Sequence, residues 1–340
     1  MNSDRKKVLL MGRAGAGKTS MRSIIFANYL PKDTSRLTAT NNIEHSHLRF
    51  FGNMVLSLWD CGGQDIFMEN YFESQREHIF RSTEVLIYVL EVRKDYSSKH
   101  ATKDIEQDFA YFKSTVENLK LLSPKSHLFC LVHKMDKLSA IERESAINYY
   151  EREIGRVASN MNYRVFPTTI WDETLFAAWS EIVYALIPNV GLLEKNLKIL
   201  AESCNAVELV LFEKSTFLVI SHAENSNTLD SKHHRSRFER ISNICKQFKL
   251  TCAKSQTNFV GINLETPNFS SIIKRFTQNS YILVVINDKS KLINNQVTIK
   301  YHLINVKLGV TSASALYNIE HARDHFETII ASHLNSEINK

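Results

Sequence analysis

The stretch Gly12-Arg-Ala-Gly-Ala-Gly17-Lys18-Thr19 constrains this chain more than any other. It fits the spacing G-x-x-x-x-G-K-[ST] without a gap, directly after a short apolar run, Lys7 to Met11, that reads as a buried strand. Met21, Ile24 and Ile25 then open a helical pattern that Pro31 closes. Strand, glycine loop and helix in that order make a cradle for phosphate. Glycines let successive backbone N–H groups converge on anionic oxygens, and the helix N-terminus adds partial positive charge. Over the whole chain glycine is scarce: 10 of 340 residues, against a usual share of roughly 7%. Five of the ten are Gly12, Gly15, Gly17, Gly62 and Gly63, so special backbone is concentrated at two places.

A chain of 340 residues is comfortable for two domains. Its net charge of +6 comes with no dense basic block, so no nucleic-acid partner is expected. Lys232 to Arg240 is the most basic local run. It reads as the solvated start of a helix, with an acidic partner or lipid headgroup as the alternative. Cys61, Cys130, Cys204, Cys245 and Cys252 form no C-x-x-C pair, which argues for a reducing compartment and against disulfides or zinc. The 13 histidines show no metal spacing. No run approaches the roughly 18 apolar residues of a membrane span. Neither end carries a lipidation motif, so membrane contact is expected only indirectly.

Strand and helix alternate over 1–188. Apolar runs at 7–11, 84–92, 127–133 and 164–169 read as strands, and 47–51 with 54–59 as a hairpin about Gly52-Asn53. Helical stripes run from Met21 to about Leu30, Phe109 to Leu119, Ile147 to Met161 and Leu175 to Leu186. The pattern predicts an α/β domain: a mostly parallel six-stranded sheet with helices on both faces and a ligand at the carboxyl ends of the strands. It restarts over 189–335 with helices at 193–204, 238–252 and 316–330 and strands at 206–212, 216–221, 259–264 and 281–286. This second part reads as α+β, an antiparallel sheet with helices on one face and no catalytic cluster, suited to interaction.

Within the cradle, Lys18 is placed to reach the β- and γ-phosphates and Thr19 to set its hydroxyl on Mg²⁺. Gly12, Arg13, Ala14, Gly15, Ala16, Gly17 and Ser20 complete it. Asp60-Cys-Gly-Gly63-Gln64 ends the hairpin's second strand. D-x-x-G is weak alone and strong downstream of such a loop. Asp60 reads as the carboxylate that holds Mg²⁺ through water, Gly63 as an N–H that senses the γ-phosphate, and Gln64 as the amide that orients a water. Of Thr34, Thr38 and Thr40 in the polar stretch 32–44, Thr40 is the choice for metal and γ-phosphate.

His133-Lys134-Met135-Asp136 resembles the guanine-reading motif N-K-x-D. Asp136 can accept hydrogen bonds from guanine N1–H and its 2-amino group. Adenine lacks that N1–H and would leave the carboxylate unpaired. The Lys134 stem can cover the purine face, and His133 reads as a tether to the glycine loop. Thr169 and Ile170 follow the last strand, where a loop closes over the base. The expected ligands are GTP or GDP with Mg²⁺, and Gln64, Lys18 and Thr40 are the catalytic candidates.

These residues resemble the Rag/Gtr family of small GTPases, Rag A/B type. The resemblance lies in Met21-Arg-Ser-Ile-Ile-Phe-Ala-Asn28, Glu44-His-Ser-His-Leu-Arg-Phe50, Trp59-Asp-Cys-Gly-Gly-Gln-Asp65, Met68-Glu-Asn-Tyr-Phe72, His133-Lys-Met-Asp136 and Ile170-Trp-Asp-Glu173. It continues through Leu211-Phe-Glu213, Thr216-Phe-Leu-Val-Ile220 and Arg237-Phe-Glu-Arg-Ile-Ser-Asn-Ile244. The resemblance implies a GTP-hydrolysing switch, slow without a GTPase-activating protein. It implies a roadblock-type domain at 189–335 that pairs with a Rag C/D-type GTPase. It further implies relay of amino-acid availability to the target-of-rapamycin complex. The expected location is the cytoplasm, with recruitment by a scaffold complex to the cytosolic face of the lysosome or vacuole, and the nucleus as a further site. Two departures stand out. Thr38-Ala-Thr-Asn-Asn-Ile43 replaces the family's Gly-Ala-Thr-Ile-Asp-Val, and about 289–310 looks like an insertion, in which Val297, Ile299, Tyr301 and Leu303 alternate. Two other classes stay open: a subunit that holds GTP as a scaffold without hydrolysis, and a trafficking GTPase of the Arf or Rab kind.

Overall fold

A computed structural model of the chain describes residues 5–40, 42–50, 54–93, 99–187, 190–224, 235–265, 269–287, 298–300 and 310–332. The chain divides into two units, the first built of Met1–Arg49 and Met54–Leu186 and the second chiefly of Ile187–Lys340.

The first unit runs β1 (Arg5–Met11), α1 (Lys18–Phe26), β2 (Ile43–Arg49), β3 (Val55–Cys61), α2 (Asp65–Phe72), α3 (Arg76–Phe80) and β4 (Val85–Glu91). It continues through α4 (Lys99–Leu122), β5 (His127–His133), α5 (Ala140–Ala158), β6 (Tyr163–Thr168) and α6 (Thr174–Leu186). The sheet order is β2-β3-β1-β4-β5-β6, and only the β2–β3 pair is antiparallel. β4 reads Val-Leu-Ile-Tyr-Val-Leu-Glu, apolar on both faces, as a central parallel strand covered by helices must be. Register sets Leu10 beside Asp60, Met11 beside Tyr88, and His133 beside both Glu91 and Thr168. The chemically active strand ends therefore share one edge. Tyr88, Phe112, Tyr150 and Trp179 are fully buried in the core. Each such side chain contributes about 1.5–3 kcal/mol by leaving water.

Local chemistry explains where the elements stop. Helix α1 ends at Phe26, short of the expected Leu30, because Asn28 takes a φ of 60° and Pro31 opens a 3-10 turn. Ser139 caps α5, and its backbone N–H is returned a bond by Glu142 Oε2 at 2.7 Å. The segment 64–72 is mostly helix: α2 starts right after Gln64 and buries Met68 and Tyr71. The hairpin turn at Gly52-Asn53 lies outside the described residues.

The second unit comprises α7 (Val190–Ser203), β7 (Glu208–Glu213), β8 (Val219–Glu224), α8 (Arg235–Lys254), β9 (Gly261–Glu265), β10 (Phe269–Arg275), β11 (Ser280–Asn287), β12 (Thr298–Lys300) and α9 (Val310–Ser332). Its sheet is antiparallel throughout, in the order β12-β9-β10-β11-β7-β8. Helices cover both faces, not one. All six residues of β7 are buried, and strand side chains alternate between faces. Val210 and Phe212 share a cluster with Cys245 of α8, while α7 packs on β7 and β8. Of the segment 289–310, β12 pairs with β9 through Ile299 opposite Leu264. Val297, Tyr301 and Leu303 lie outside the described residues. Among the described residues no single helix is long and apolar enough to cross a membrane.

Candidate functional site

Past Met11 the chain turns through Gly12–Gly17 into α1. A Cβ on Gly12 would meet Val89 O at 2.3 Å, so the loop lies directly on β4. Lys18 is buried. Its Nζ donates to Gly12 O at 2.6 Å and Arg13 O at 2.9 Å, two of an ammonium's three possible bonds. Burial holds its pKa below the ordinary lysine value. Arg13 turns to α4 instead, donating to Asp104 O at 3.1 Å and Asp104 Oδ1 at 3.2 Å.

Thr40 Oγ1 lies 2.6 Å from Thr19 Oγ1. Asp60 is fully buried, and neither carboxylate oxygen has a hydrogen-bond partner. Arg22 Nε stands 3.3 Å from Oδ2, close enough for an ion pair but without the alignment of a hydrogen bond. Burial raises the Asp60 pKa, and the charges of Arg22 and Lys18 pull it back in part. A buried carboxylate with unmet acceptors beside two hydroxyls suits a hard divalent cation such as Mg²⁺, which takes oxygen ligands and keeps several waters. Gln64 Oε1 is a second buried acceptor without a partner.

Ala14, Gly15, Gly17, Lys18, Thr19, Ser20, Thr40, Gly63 and Gln64 line one recess of about 230 Å³ together with Leu37, Thr38 and Ala39. Gly12, Arg13, Ala16 and Asp60 do not line it. Gly63 O accepts the Ala14 N–H at 2.7 Å. Asn42 O accepts from Gly62 N–H at 2.5 Å and from the Tyr71 hydroxyl at 3.0 Å. These bonds tie the glycine loop, Asn42, the Gly62-Gly63 pair and the end of α2 into one set.

His133, Lys134, Asp136, Thr169 and Ile170 gather at the ends of β5 and β6, apart from that recess. His133 Nδ1 lies 2.9 Å from Thr168 Oγ1, and a Cβ on Gly17 would touch its ring at 2.8 Å. Burial pushes the His133 pKa down to about 4, so the ring is neutral at pH 7. The bonded tether to the glycine loop is Lys134, whose Nζ donates to Gly15 O at 2.6 Å and Glu91 Oε1 at 2.9 Å. Lys137 donates to the same Glu91 oxygen at 2.7 Å. Asp136 is exposed and its Oδ1 accepts from Thr169 Oγ1 at 2.6 Å. Thr169 N–H donates to Thr174 Oγ1 at 3.0 Å, and half-buried Ile170 follows. Sequence reasoning misses Arg22, Glu91 and Thr174. For Arg22 one signal exists: it stands three residues after Thr19, on the same helix face.

A glycine loop between a central parallel strand and a helix, a buried aspartate beneath two threonine hydroxyls, and a lysine–aspartate loop after β5 define a P-loop GTPase. Residues 7–245 match the family model described as Gtr1/RagA G protein conserved region. The chain is 46% identical over 333 residues to Ras-related GTP-binding protein A of Dictyostelium discoideum, covering 97% of this chain and 100% of that protein. It is 44% identical over 353 residues to Ras-related GTP-binding protein B of Rattus norvegicus, covering 96% and 86%. Similarity extends at 27% identity over 238 residues, 68% of this chain and 56% of the relative, to Ras-related GTP-binding protein C of Homo sapiens. The chain belongs to the Gtr1/RagA family of small GTPases, which bind guanine nucleotide and hydrolyse GTP.

Proposed function

We propose that this chain is the A/B-type half of a GTP-controlled heterodimer. The observation that carries the reading is one recess that brings together Thr19, Thr40 and Gln64, with the buried, unmet Asp60 carboxylate behind Thr19. Backbone N–H groups of the glycine loop and Lys18 bind the phosphates, with Ser20 at their edge. Thr19, Thr40 and, through water, Asp60 would hold Mg²⁺, which would neutralise phosphate charge. Gln64 Oε1 accepts a hydrogen bond from water and aims its oxygen at the γ-phosphorus. Attack forms the new P–O bond, breaks the bond to the bridging oxygen and passes the water's proton to a phosphate oxygen, leaving GDP and phosphate. Asp136 reads guanine, and Thr169 fixes its carboxylate. GTP holds the 37–42 and 62–72 segments on the glycine loop, and hydrolysis releases them.

Family membership supports the wider assignment. The second unit serves as a roadblock-type module for pairing with a Rag C/D-type GTPase. The pair sits on a scaffold complex at the cytosolic face of the lysosome or vacuole and reports amino-acid availability to the target-of-rapamycin complex. Single-turnover hydrolysis by the full chain, co-purified with a C/D-type partner, tests the switch. Turnover is expected on the order of 10⁻⁴–10⁻² s⁻¹ and to rise with a GTPase-activating protein, a rise that Gln64→Leu abolishes. GTP held intact in both forms would make the chain a scaffold subunit.

A further inference from the structure

Glu44 and Asp60 are direct partners across the antiparallel β2–β3 pair. Like charges so placed repel. One guanidinium from α1 stands between them: Arg22 sets Nη2 2.6 Å from Glu44 Oε2 and Nε 3.3 Å from Asp60 Oδ2. The three groups differ in exposure. Asp60 is fully buried, the Arg22 side chain is 19% exposed and that of Glu44 46%, so the contact runs from the site floor to the surface. A planar, forked guanidinium can serve two carboxylates at once, where a lysine offers a single point of charge.

We propose that Arg22 is a positioning residue for the divalent-cation end of the site. It holds the Asp60 carboxylate in place beneath Thr19 and ties it to β2, the strand that begins three residues after Thr40. This rests on the reading of Asp60 as a ligand to Mg²⁺ through water. Without Arg22, Asp60 keeps Glu44 as its cross-strand partner and loses the cation between them. The opposed carboxylates then push apart, and the strand that leads from Thr40 moves with Glu44. Groups one shell out from a metal change its affinity about 10–100-fold when removed.

The test is dissociation of a fluorescent GDP from the full chain, followed across a MgCl₂ titration. Arg22→Gln is expected to raise the Mg²⁺ concentration for half-maximal retention about tenfold or more and to leave the rate in excess EDTA unchanged. Arg22→Lys should restore part of the shift, and adding Glu44→Gln to Arg22→Gln should restore part by removing the repulsion. A wild-type midpoint in Arg22→Gln overturns the proposal. So does an equal acceleration with and without Mg²⁺, which marks a merely structural side chain. If the wild-type rate ignores Mg²⁺ altogether, the metal reading of Asp60 fails and this proposal falls with it.

Discussion

A methyl group on Gly63 would lie 2.4 Å from Gly12 O and 2.5 Å from Ala14 N. The 62–64 segment would have to withdraw from the glycine loop, and overpacking of this kind costs about 1–3 kcal/mol. Gly63→Ala is therefore expected to lower GTP affinity about tenfold with a smaller loss for GDP, as read by competition binding. Two buried titratable groups set a pH signature. Burial raises Asp108 to about 7, against the Tyr88 hydroxyl at 3.2 Å and the charges of Arg13, Lys18 and Arg93. Burial lowers His133 to about 4. A carboxyl with a raised folded pKa loses stability as pH rises from 3.8, its ordinary value, to about 7. A histidine with a lowered folded pKa gains stability as pH rises from about 4 to 6.5, its ordinary value. The two slopes oppose each other over most of that range. Asp108→Asn removes the falling one, so its melting temperature should climb more steeply with pH between 5 and 6.5 than the wild type's. Phosphate- and base-reading residues are legible in the sequence because their chemistry fixes spacing within contiguous runs. Arg22 and Glu91 are not, because their partners arrive through sheet register: Asp60 and Glu44 across β2–β3, Lys134 and Lys137 beyond the end of β5.

Asn42 holds a φ of 63° where the 37–42 segment enters β2, and its carbonyl takes the bonds from Gly62 and Tyr71. Asparagine tolerates the left-handed region and a β-branched residue does not. Asn42→Val is expected to destabilise the fold by about 1–2 kcal/mol, measurable by chemical denaturation. The same scale explains the elements that the sequence hides. Helix α2 buries Met68 and Tyr71 at a spacing of three, one repeat only, which gives no usable period. Strand β10 opens Phe-Ser-Ser and places Ile272 and Ile273 side by side, so neither alternation nor a long apolar run marks it. Strands β4 and β5, apolar on both faces, stand out by the same criterion.

The two units carry separate hydrophobic clusters, one around Tyr88, Phe112 and Tyr150 and the other around Phe212, Phe217 and Tyr281. Units with their own cores unfold as separate cooperative blocks, so calorimetry should resolve more than one transition. Trp179 of α6 is fully buried edge-on to Phe26 at 5.0 Å, with its indole N–H unpaired. Trp179→Ala should cost about 3–5 kcal/mol and move only the first unit's transition. Trp179→Phe keeps a ring and deletes the orphaned donor, so it should cost far less. The alternation that predicts both units survives in the structure where strands are apolar and covered, as β4, β5 and β7 are. What the alternation cannot carry is the coverage of β7 on both faces, since its Glu208 and Glu213 are buried polar ends that look like surface.

Lys134 reaches from the end of β5 to Gly15 O, while the His133 ring rests against Gly17. Base end and phosphate end are thereby one rigid seat, and an arriving nucleotide has little ordering to impose on it. The joint also transmits in the opposite direction. Drawing the 134–137 segment outward withdraws the donor from Gly15 O and slackens the loop that grips the phosphates.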